Sequence, residues 1–132
     1  MKSKLSKISE KEKEVISVLW HSSEPLTASA IVEKGEKLNI NTVQAAMRSL
    51  MNKKYIKVAD IVYSGTVLTR CYMPIISAEQ YAAEQLQDMW SNTFNFSALN
   101  FIDHLLKDSD SDILNELEDI IKQKKKEEEE GD

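Results

Sequence analysis

The segment from Asn39 to Ile56 constrains the fold and the function of this chain more than any other. Asn39 is a good N-cap residue, because its side chain can accept a hydrogen bond from a backbone N–H of the first helical turn. Acidic residues are absent between Asn39 and Lys54. The segment therefore predicts an amphipathic helix with a polar, acid-free outer face. Its apolar residues follow at helical spacing and are expected to pack against a core: Val43, Met47 and Leu50.

The outer face of this predicted helix carries side chains that can read DNA. Amide, hydroxyl and guanidinium groups bind base edges and phosphates in a major groove. We predict a phosphate contact from Arg48. The predicted base contacts are Asn41, Thr42, Gln44 and Ala45. At this point an ordinary surface helix is the alternative, although such a helix usually carries more Glu and Lys.

The formal net charge of −5 hides two oppositely charged halves. Residues 1–74 contain 12 Lys or Arg and 7 Asp or Glu, which gives +5. Residues 75–132 contain 5 Lys and 15 Asp or Glu, which gives −10. Without residues 127–132 the second half still carries −5. This division predicts a basic half that approaches DNA phosphates and an acidic half that stays away from them.

Two further helices are predicted ahead of the Asn39 segment. Ser9 and Glu12 form a capping box, which predicts a helix that runs to about His21. Thr27 can cap a second helix that runs to about Glu36. The break between them contains a proline and is followed by a short extended piece. Three helices in this order are typical of a helix-turn-helix domain.

Two runs of β-forming residues follow the third helix and predict a hairpin. They cover residues 55–63 and 66–72, with Ser64–Gly65 as the predicted turn and Pro74 at the end of the second strand. A hairpin in this position is the wing of a winged helix-turn-helix domain. We predict further phosphate contacts from basic residues at the helix exit and on the wing: Lys53, Lys54, Lys57 and Arg70.

The remaining sequence predicts a helical dimerisation region. The predicted fold is mainly α with a small β-hairpin: a winged-helix DNA-binding domain in residues 1–75, three helices in residues 76–123, and a charged, disordered tail in residues 124–132. These helices are too short to bury their apolar side chains within one chain, so we predict a homodimer, with packing onto the winged domain as the alternative. The residues expected at the interface are Phe101, Leu105, Leu106, Leu114, Leu117 and Ile121.

The chain resembles the penicillinase-repressor/copper-repressor family of bacterial transcription regulators. Ser9–Trp20, Asn41–Ile56 and Tyr72–Ile76 carry the resemblance, which extends to about Ile121. It implies a dimeric transcriptional repressor that binds an inverted-repeat operator in double-stranded DNA. By position, the base-reading residues of the family correspond to the four predicted above. Thr42 matches the family pattern, whereas Asn41 and Gln44 replace more basic residues of some members.

The resemblance also bears on how such a repressor is released. The copper branch of the family carries paired Cys-x-Cys elements, whereas this chain has only Cys71, His21 and His104 as soft or borderline ligands. We therefore expect no metal site and no cofactor. Cleavage of an Asn–Phe bond inactivates the antibiotic-resistance branch. Asn100–Phe101 stands at the corresponding place, and we hypothesise cleavage there by a membrane sensor protease; the alternative is that Phe101 is only a core residue.

Other functional classes find less support in the sequence. The chain has no glycine-rich phosphate loop and no plausible catalytic set, so we do not expect an enzyme. One cysteine and no long apolar run predict a cytoplasmic protein without membrane insertion. A winged helix that binds another protein is the main alternative. A third hypothesis is a small-molecule regulator whose pocket contains Trp20, Tyr81, Met89 and Trp90. Aromatic residues at such spacings more often belong to a hydrophobic core.

Overall fold

The computed structural model describes residues 5–92 and 95–131, and the chain divides into two compact units between Ser91 and Asn92. The fold is mainly helical with one two-stranded antiparallel hairpin, as the sequence predicts. Among the described residues, no helix has the length and apolar character needed to cross a membrane. The elements are α1 (Glu10–His21), α2 (Ala28–Lys34), α3 (Ile40–Asn52), β1 (Ile56–Ser64), β2 (Val67–Pro74), α4 (Ala78–Asn92), α5 (Ala98–Leu105) and α6 (Ser111–Glu130).

Side-chain caps fix the starts of the first three helices. The backbone N–H of Glu12 donates to Ser9 Oγ (3.1 Å) and the Ser9 N–H donates to Glu12 Oε1 (3.3 Å), so the predicted capping box is confirmed. The side chains of Thr27 and Asn39 cap α2 and α3 by accepting one backbone N–H each, from Ala30 and Thr42. Each cap satisfies a backbone donor that the helix itself leaves unpaired.

The end of α2 lies two residues earlier than predicted, at Lys34 rather than Glu36. Gly35 follows as the C-cap, and its N–H donates to Ile31 O at 2.8 Å. A Cβ at this glycine would lie very close to Leu38 Cδ1, the end of a flexible side chain. A side chain at position 35 would therefore need Leu38 to move, whereas glycine leaves room for it.

The hairpin forms as predicted, but its turn is shifted by one residue. Ser64 pairs with Val67, so the two loop residues are Gly65 and Thr66 rather than Ser64 and Gly65. Gly65 has φ +66°, a conformation that glycine adopts without steric cost. A β-bulge in β1 lies between Val58 and Asp60 and shifts the register there.

The core of the first unit is formed by the three N-terminal helices and the start of the hairpin. Leu26 and Tyr72 exchange two backbone hydrogen bonds of 3.0 and 2.8 Å, which attach the segment between α1 and α2 to β2. The fully or nearly buried apolar residues are Val15, Ile16, Leu19, Leu26, Ile31, Val43, Ala46, Met47, Leu50, Tyr55 and Ile56. The three core residues predicted on α3 are among them.

Helix α4 begins against this core, so the first unit extends beyond residue 75. Trp20 Nε1 donates to Ile76 O at 2.8 Å. The ring of Tyr81 lies 5.6 Å from that of Trp20 and 6.3 Å from that of Tyr55, measured between centroids. The boundary predicted at residues 75/76 therefore differs from the division observed after Ser91.

In the second unit, α5 and α6 bury no side chain. Helix α6 continues through Glu130, whereas residues 124–132 were expected to be a disordered tail. The physical reason is that Lys and Glu are strong helix formers. Two exposed ion pairs along the helix add a small stabilisation, Lys122–Glu118 at 3.4 Å and Lys124–Glu127 at 3.7 Å.

Candidate nucleic-acid interface

An exposed polar stripe runs along α3. Asn41, Gln44, Ala45 and Arg48 are all exposed and follow the i, i+3, i+4, i+7 spacing of one helix face. Thr42 is half-buried at the edge of this stripe, and its backbone N–H donates to Asn39 Oδ1 at 2.8 Å. Of the predicted base contacts, three therefore share the exposed stripe and Thr42 borders it.

A groove of about 440 Å³ separates α3 from the wing. Its polar lining residues include Gln44, Arg48 and Arg70. Residues 44 and 48 come from α3, whereas residue 70 comes from β2. Because planar guanidinium groups match phosphate oxygens, this groove is suited to a DNA backbone. The sequence analysis did not identify its apolar lining, which includes Met51, Leu68 and Tyr72.

The register of the hairpin separates Lys57 from this groove. Directly paired residues of an antiparallel hairpin point to the same face, and successive residues point to opposite faces. Lys57 pairs with Met73, which neighbours Tyr72 of the groove face. Lys57 therefore lies on the other face of the wing from Arg70, and its phosphate contact stays a prediction.

Lys53 is held inside the winged domain. Its Nζ donates to Glu12 Oε2 (2.9 Å), to Glu12 Oε1 (3.1 Å) and to the Lys7 carbonyl oxygen (2.8 Å). Ser49 Oγ donates to the same carboxylate at 3.2 Å. With side-chain exposures of 27% for Lys53 and 10% for Glu12, the ion pair is largely shielded. Lys53 connects the end of α3 to the start of α1, and its phosphate contact stays a prediction.

This environment shifts the pKa of Glu12. Burial alone would raise the pKa of the carboxyl, but the hydrogen bonds from Lys53 and Ser9 and the positive charge of Lys53 outweigh burial and lower the pKa below its ordinary value. The ionised carboxylate is therefore the form that the fold requires.

Lys54 is exposed and ends α3 in the left-handed conformation, with φ +65°. The Lys54 N–H donates to Met51 O (3.0 Å) and the Tyr55 N–H donates to Leu50 O (2.9 Å). These two bonds are those of a Schellman motif, in which glycine is the usual residue at the left-handed position. A lysine there keeps a positive charge at the helix exit, close in sequence to the basic groove.

The tip of the wing exposes apolar side chains that the sequence analysis did not single out. Tyr63 pairs with Leu68, and they are 73% and 58% exposed. By register they share the face of Arg70. Ile61 and Val67 are exposed as well. The wing therefore combines a basic residue with an apolar tip. Hairpin tips are usually polar, so the apolar tip was not expected from the sequence.

In the second unit, the predicted dimerisation residues lie on apolar faces. Leu105, Leu114 and Ile121 are exposed, and Phe101, Leu106 and Leu117 are half-buried. Four apolar neighbours that were not predicted are exposed too: Leu99, Ile102, Ile113 and Ile120.

The predicted cleavage site lies in the first turn of α5. The backbone N–H of Asn100 donates to Ser97 Oγ at 3.2 Å, and that of Phe101 donates to Ser97 O at 3.0 Å. Asn100 is exposed, whereas the ring of Phe101 packs 5.8 Å from that of Phe96. A protease would have to open this first turn before it could reach the bond between them.

The other candidate ligands are dispersed. The described residues contain no group of three or more His, Cys, Asp or Glu that could hold a metal ion. Cys71 is buried in β2, and His21 Nδ1 lies 2.8 Å from the Ser17 carbonyl oxygen. The residues of the hypothesised small-molecule pocket differ in burial: Trp20 and Tyr81 pack on the core, whereas Met89 and Trp90 are half exposed.

Comparison with known proteins gives one family match. A family model described as penicillinase repressor matches residues 8–123. The match covers the helices and the hairpin of the first unit, all of α5 and α6 as far as Gln123. No curated protein matches the chain.

Proposed function

The chain belongs to the penicillinase repressor family, and on this premise we propose that it is a dimeric transcriptional repressor that binds an inverted-repeat DNA operator through α3. One observation carries the proposal: the acid-free exposed stripe of α3 borders a groove that contains Arg48 and Arg70. Base-reading side chains and phosphate-binding guanidinium groups therefore share one surface, as direct readout requires. Such a protein acts on DNA in the cytoplasm.

The structure supports a specific division of the contacts. We propose that Asn41, Gln44 and Ala45 contact base edges, with Thr42 at the border of that contact. Gln can form two hydrogen bonds with an adenine, and the alanine methyl group can pack against a thymine methyl group. The proposed phosphate contacts are Arg48, Lys54 and Arg70.

Dimerisation is proposed from the apolar faces of the second unit. Neither α5 nor α6 buries a side chain within the chain, and water-exposed leucine and isoleucine side chains are costly in such number. A second copy that covers these faces would also provide the second α3 for the other half of an inverted repeat.

Fluorescence-anisotropy titrations with a dyad duplex and a scrambled duplex, at two salt concentrations, test this function. The operator is first obtained by selection from genomic fragments. We expect Gln44→Ala to weaken binding to the dyad about tenfold and to leave binding to the scrambled duplex unchanged. Lys54→Ala, the matched control, should weaken both and lower the salt dependence. A Lys54→Ala variant with altered sequence preference would contradict the proposed docking.

Release by proteolysis is a second part of the proposal. Cleavage of the Asn100–Phe101 bond would separate α6 and most of α5 from the winged domain, and the two half-sites would then be bound independently. Co-expression with the family's sensor protease should cut the parent chain after residue 100 and leave Asn100→Ala intact. Equal cutting of both chains, read by intact mass, would place the cleavage elsewhere.

The exposed apolar tip of the wing supports one alternative, a winged helix that binds another protein. Tyr63 and Leu68 have the exposed apolar character of a protein-binding patch. The same titrations distinguish the two functions. If the chain binds neither genomic fragments nor synthetic duplexes even at low salt, the DNA-binding proposal is wrong and the protein-binding alternative replaces it.

A further inference from the structure

Helix α6 presents an apolar stripe along one face, and we propose that this stripe packs antiparallel against α6 of a second copy, with Leu117 on the two-fold axis. The inference rests on the dimeric repressor proposed above and specifies which surfaces of the second unit meet and in which register. It concerns one helix of the second unit and its copy.

The stripe is regular and largely exposed. Leu117 is half-buried, and its apolar neighbours three and four positions away on either side are 42–56% exposed. With about 100° of rotation per residue, all of them lie within about 60° of Leu117 around the helix. The members of the stripe are Ile113, Leu114, Leu117, Ile120 and Ile121. Side chains at this spacing can interdigitate with those of a second helix packed against α6.

Charged residues mark the two ends of the stripe with opposite signs. Asp110 lies seven residues before Leu117 and Lys124 lies seven residues after it. Lys124 is about 20° from Leu117 around the helix and continues the line of the stripe, whereas Asp110 stands at the other end of α6 as its N-cap. An antiparallel pair centred on Leu117 places each Asp110 beside Lys124 of the other copy. The apolar positions alone are symmetric about Leu117, so they do not distinguish a parallel from an antiparallel pair. The opposite charges at the two ends of the stripe do.

The surrounding charges favour the same orientation. Asp108 and Asp112 flank Asp110, whereas three further lysines flank Lys124. In a parallel pair, the acidic ends would meet each other and so would the lysine blocks. Like charges at such contacts are repulsive, and parallel macrodipoles add to the repulsion. Antiparallel packing brings unlike charges together at both ends, so charge complementarity selects a second copy in this orientation.

Both charged residues can join such a pair without losing a strong contact. Asp110 caps α6 by accepting a hydrogen bond from the Ile113 N–H at 2.9 Å, and an ionised carboxylate can accept several hydrogen bonds. Lys124 forms an ion pair with Glu127, but that pair is 3.7 Å long and its side chains are 72% and 53% exposed. Exposed pairs of this kind contribute little, so Lys124 can exchange Glu127 for a partner's Asp110.

Charge reversal at one position of the stripe tests the register in the full chain. Lys124→Glu places two acidic pairs at the interface, and we expect the dimer dissociation constant, from sedimentation velocity at low salt, to rise about tenfold. The matched control is Lys126→Glu, the same change on the opposite face of α6, which should stay within twofold. Adding Asp110→Asn, which keeps the cap, should recover most of the loss. Equal effects at positions 124 and 126 would overturn the register.

A disulfide provides the second test. Leu117→Cys should give a covalent dimer on oxidation with diamide, because a residue on a two-fold axis meets its own copy, whereas Asn115→Cys on the opposite face should not. Peptide mass spectrometry then checks that the bond joins the two 117 positions and not the buried Cys71. If the parent is a dimer but position 117 does not cross-link, α6 packs on another helix and the dimeric repressor stands. If the parent is a monomer that binds no dyad, the proposed function fails instead.

Discussion

Replacement of Lys53 by methionine is expected to lower the free energy of unfolding by about 3 kcal/mol at pH 7. Methionine keeps much of the length of the lysine stem but removes the ammonium group, which donates to both Glu12 oxygens and to the Lys7 carbonyl. The Glu12 carboxylate would then remain ionised in a site where it is only 10% exposed. The penalty of an unpaired, shielded charge is therefore the main cause of the loss. Urea denaturation followed by circular dichroism measures it.

The matched control is Lys54→Met, the same substitution one residue further along the chain. Lys54 is exposed, and we expect its replacement to change stability by less than about 0.5 kcal/mol. A similar loss for both variants would contradict the role assigned to the Glu12–Lys53 pair.

The pH dependence of the Lys53→Met effect gives an independent check. The folded-state pKa of Glu12 is lowered, so its stabilisation is present above the ordinary glutamate pKa of about 4.3 and is lost as the pH falls through the lower folded value. The difference between the parent and Lys53→Met should therefore be largest at neutral pH and shrink in acid. A difference that grows in acid would have the wrong sign for this ion pair.

Elements that depend on near neighbours in the sequence were predictable. The caps at Ser9, Thr27 and Asn39 involve residues three positions apart, so the sequence displays both partners together. The hairpin followed from the β-forming runs and the glycine, and only its turn was shifted by one residue. Local chemistry thus predicted the helix starts and the position of α3.

The roles of the basic residues depended on distant partners and could not be predicted. Lys53 binds Glu12, which lies 41 residues earlier in the sequence. Because the capping box already explained Glu12, nothing in the sequence indicated a second partner for it. Lys57 was placed with Arg70 because both are basic and both lie on the wing. Its face depends on the register and the bulge at residues 58–60, which composition does not reveal.

The last turns of α6 differ from what their composition suggests. The run of lysines and glutamates at residues 124–130 has the low hydrophobicity of a disordered segment, and the sequence analysis predicted one. The same residues have high helix propensity and can pair at i, i+3 and i, i+4, so they continue a helix that has already formed. Composition alone therefore did not reveal the helical backbone of the segment.

The largest effect on DNA binding is expected from Leu117→Asp. If α6 pairs about Leu117, this change places two carboxylates in the apolar centre of the interface, and the dimer dissociation constant should rise at least about 100-fold. A monomer binds each half-site separately, so affinity for the dyad operator should also fall about 100-fold or more. Affinity for a single half-site should not change, because Leu117 belongs to the second unit and the proposed DNA contacts belong to the first.

Three measurements and one matched variant make this prediction decisive. Sedimentation velocity reports the dimer, anisotropy reports dyad and half-site binding, and thermal unfolding verifies that the winged domain stays folded. Asn115→Asp adds the same carboxylate to α6 about 160° around the helix, and it should leave dimerisation and operator affinity unchanged. A Leu117→Asp chain that is monomeric yet binds the dyad as tightly as the parent would show that operator affinity does not depend on dimerisation. The link between the second unit and repression would then be wrong, while the α3 surface would remain the DNA-binding site.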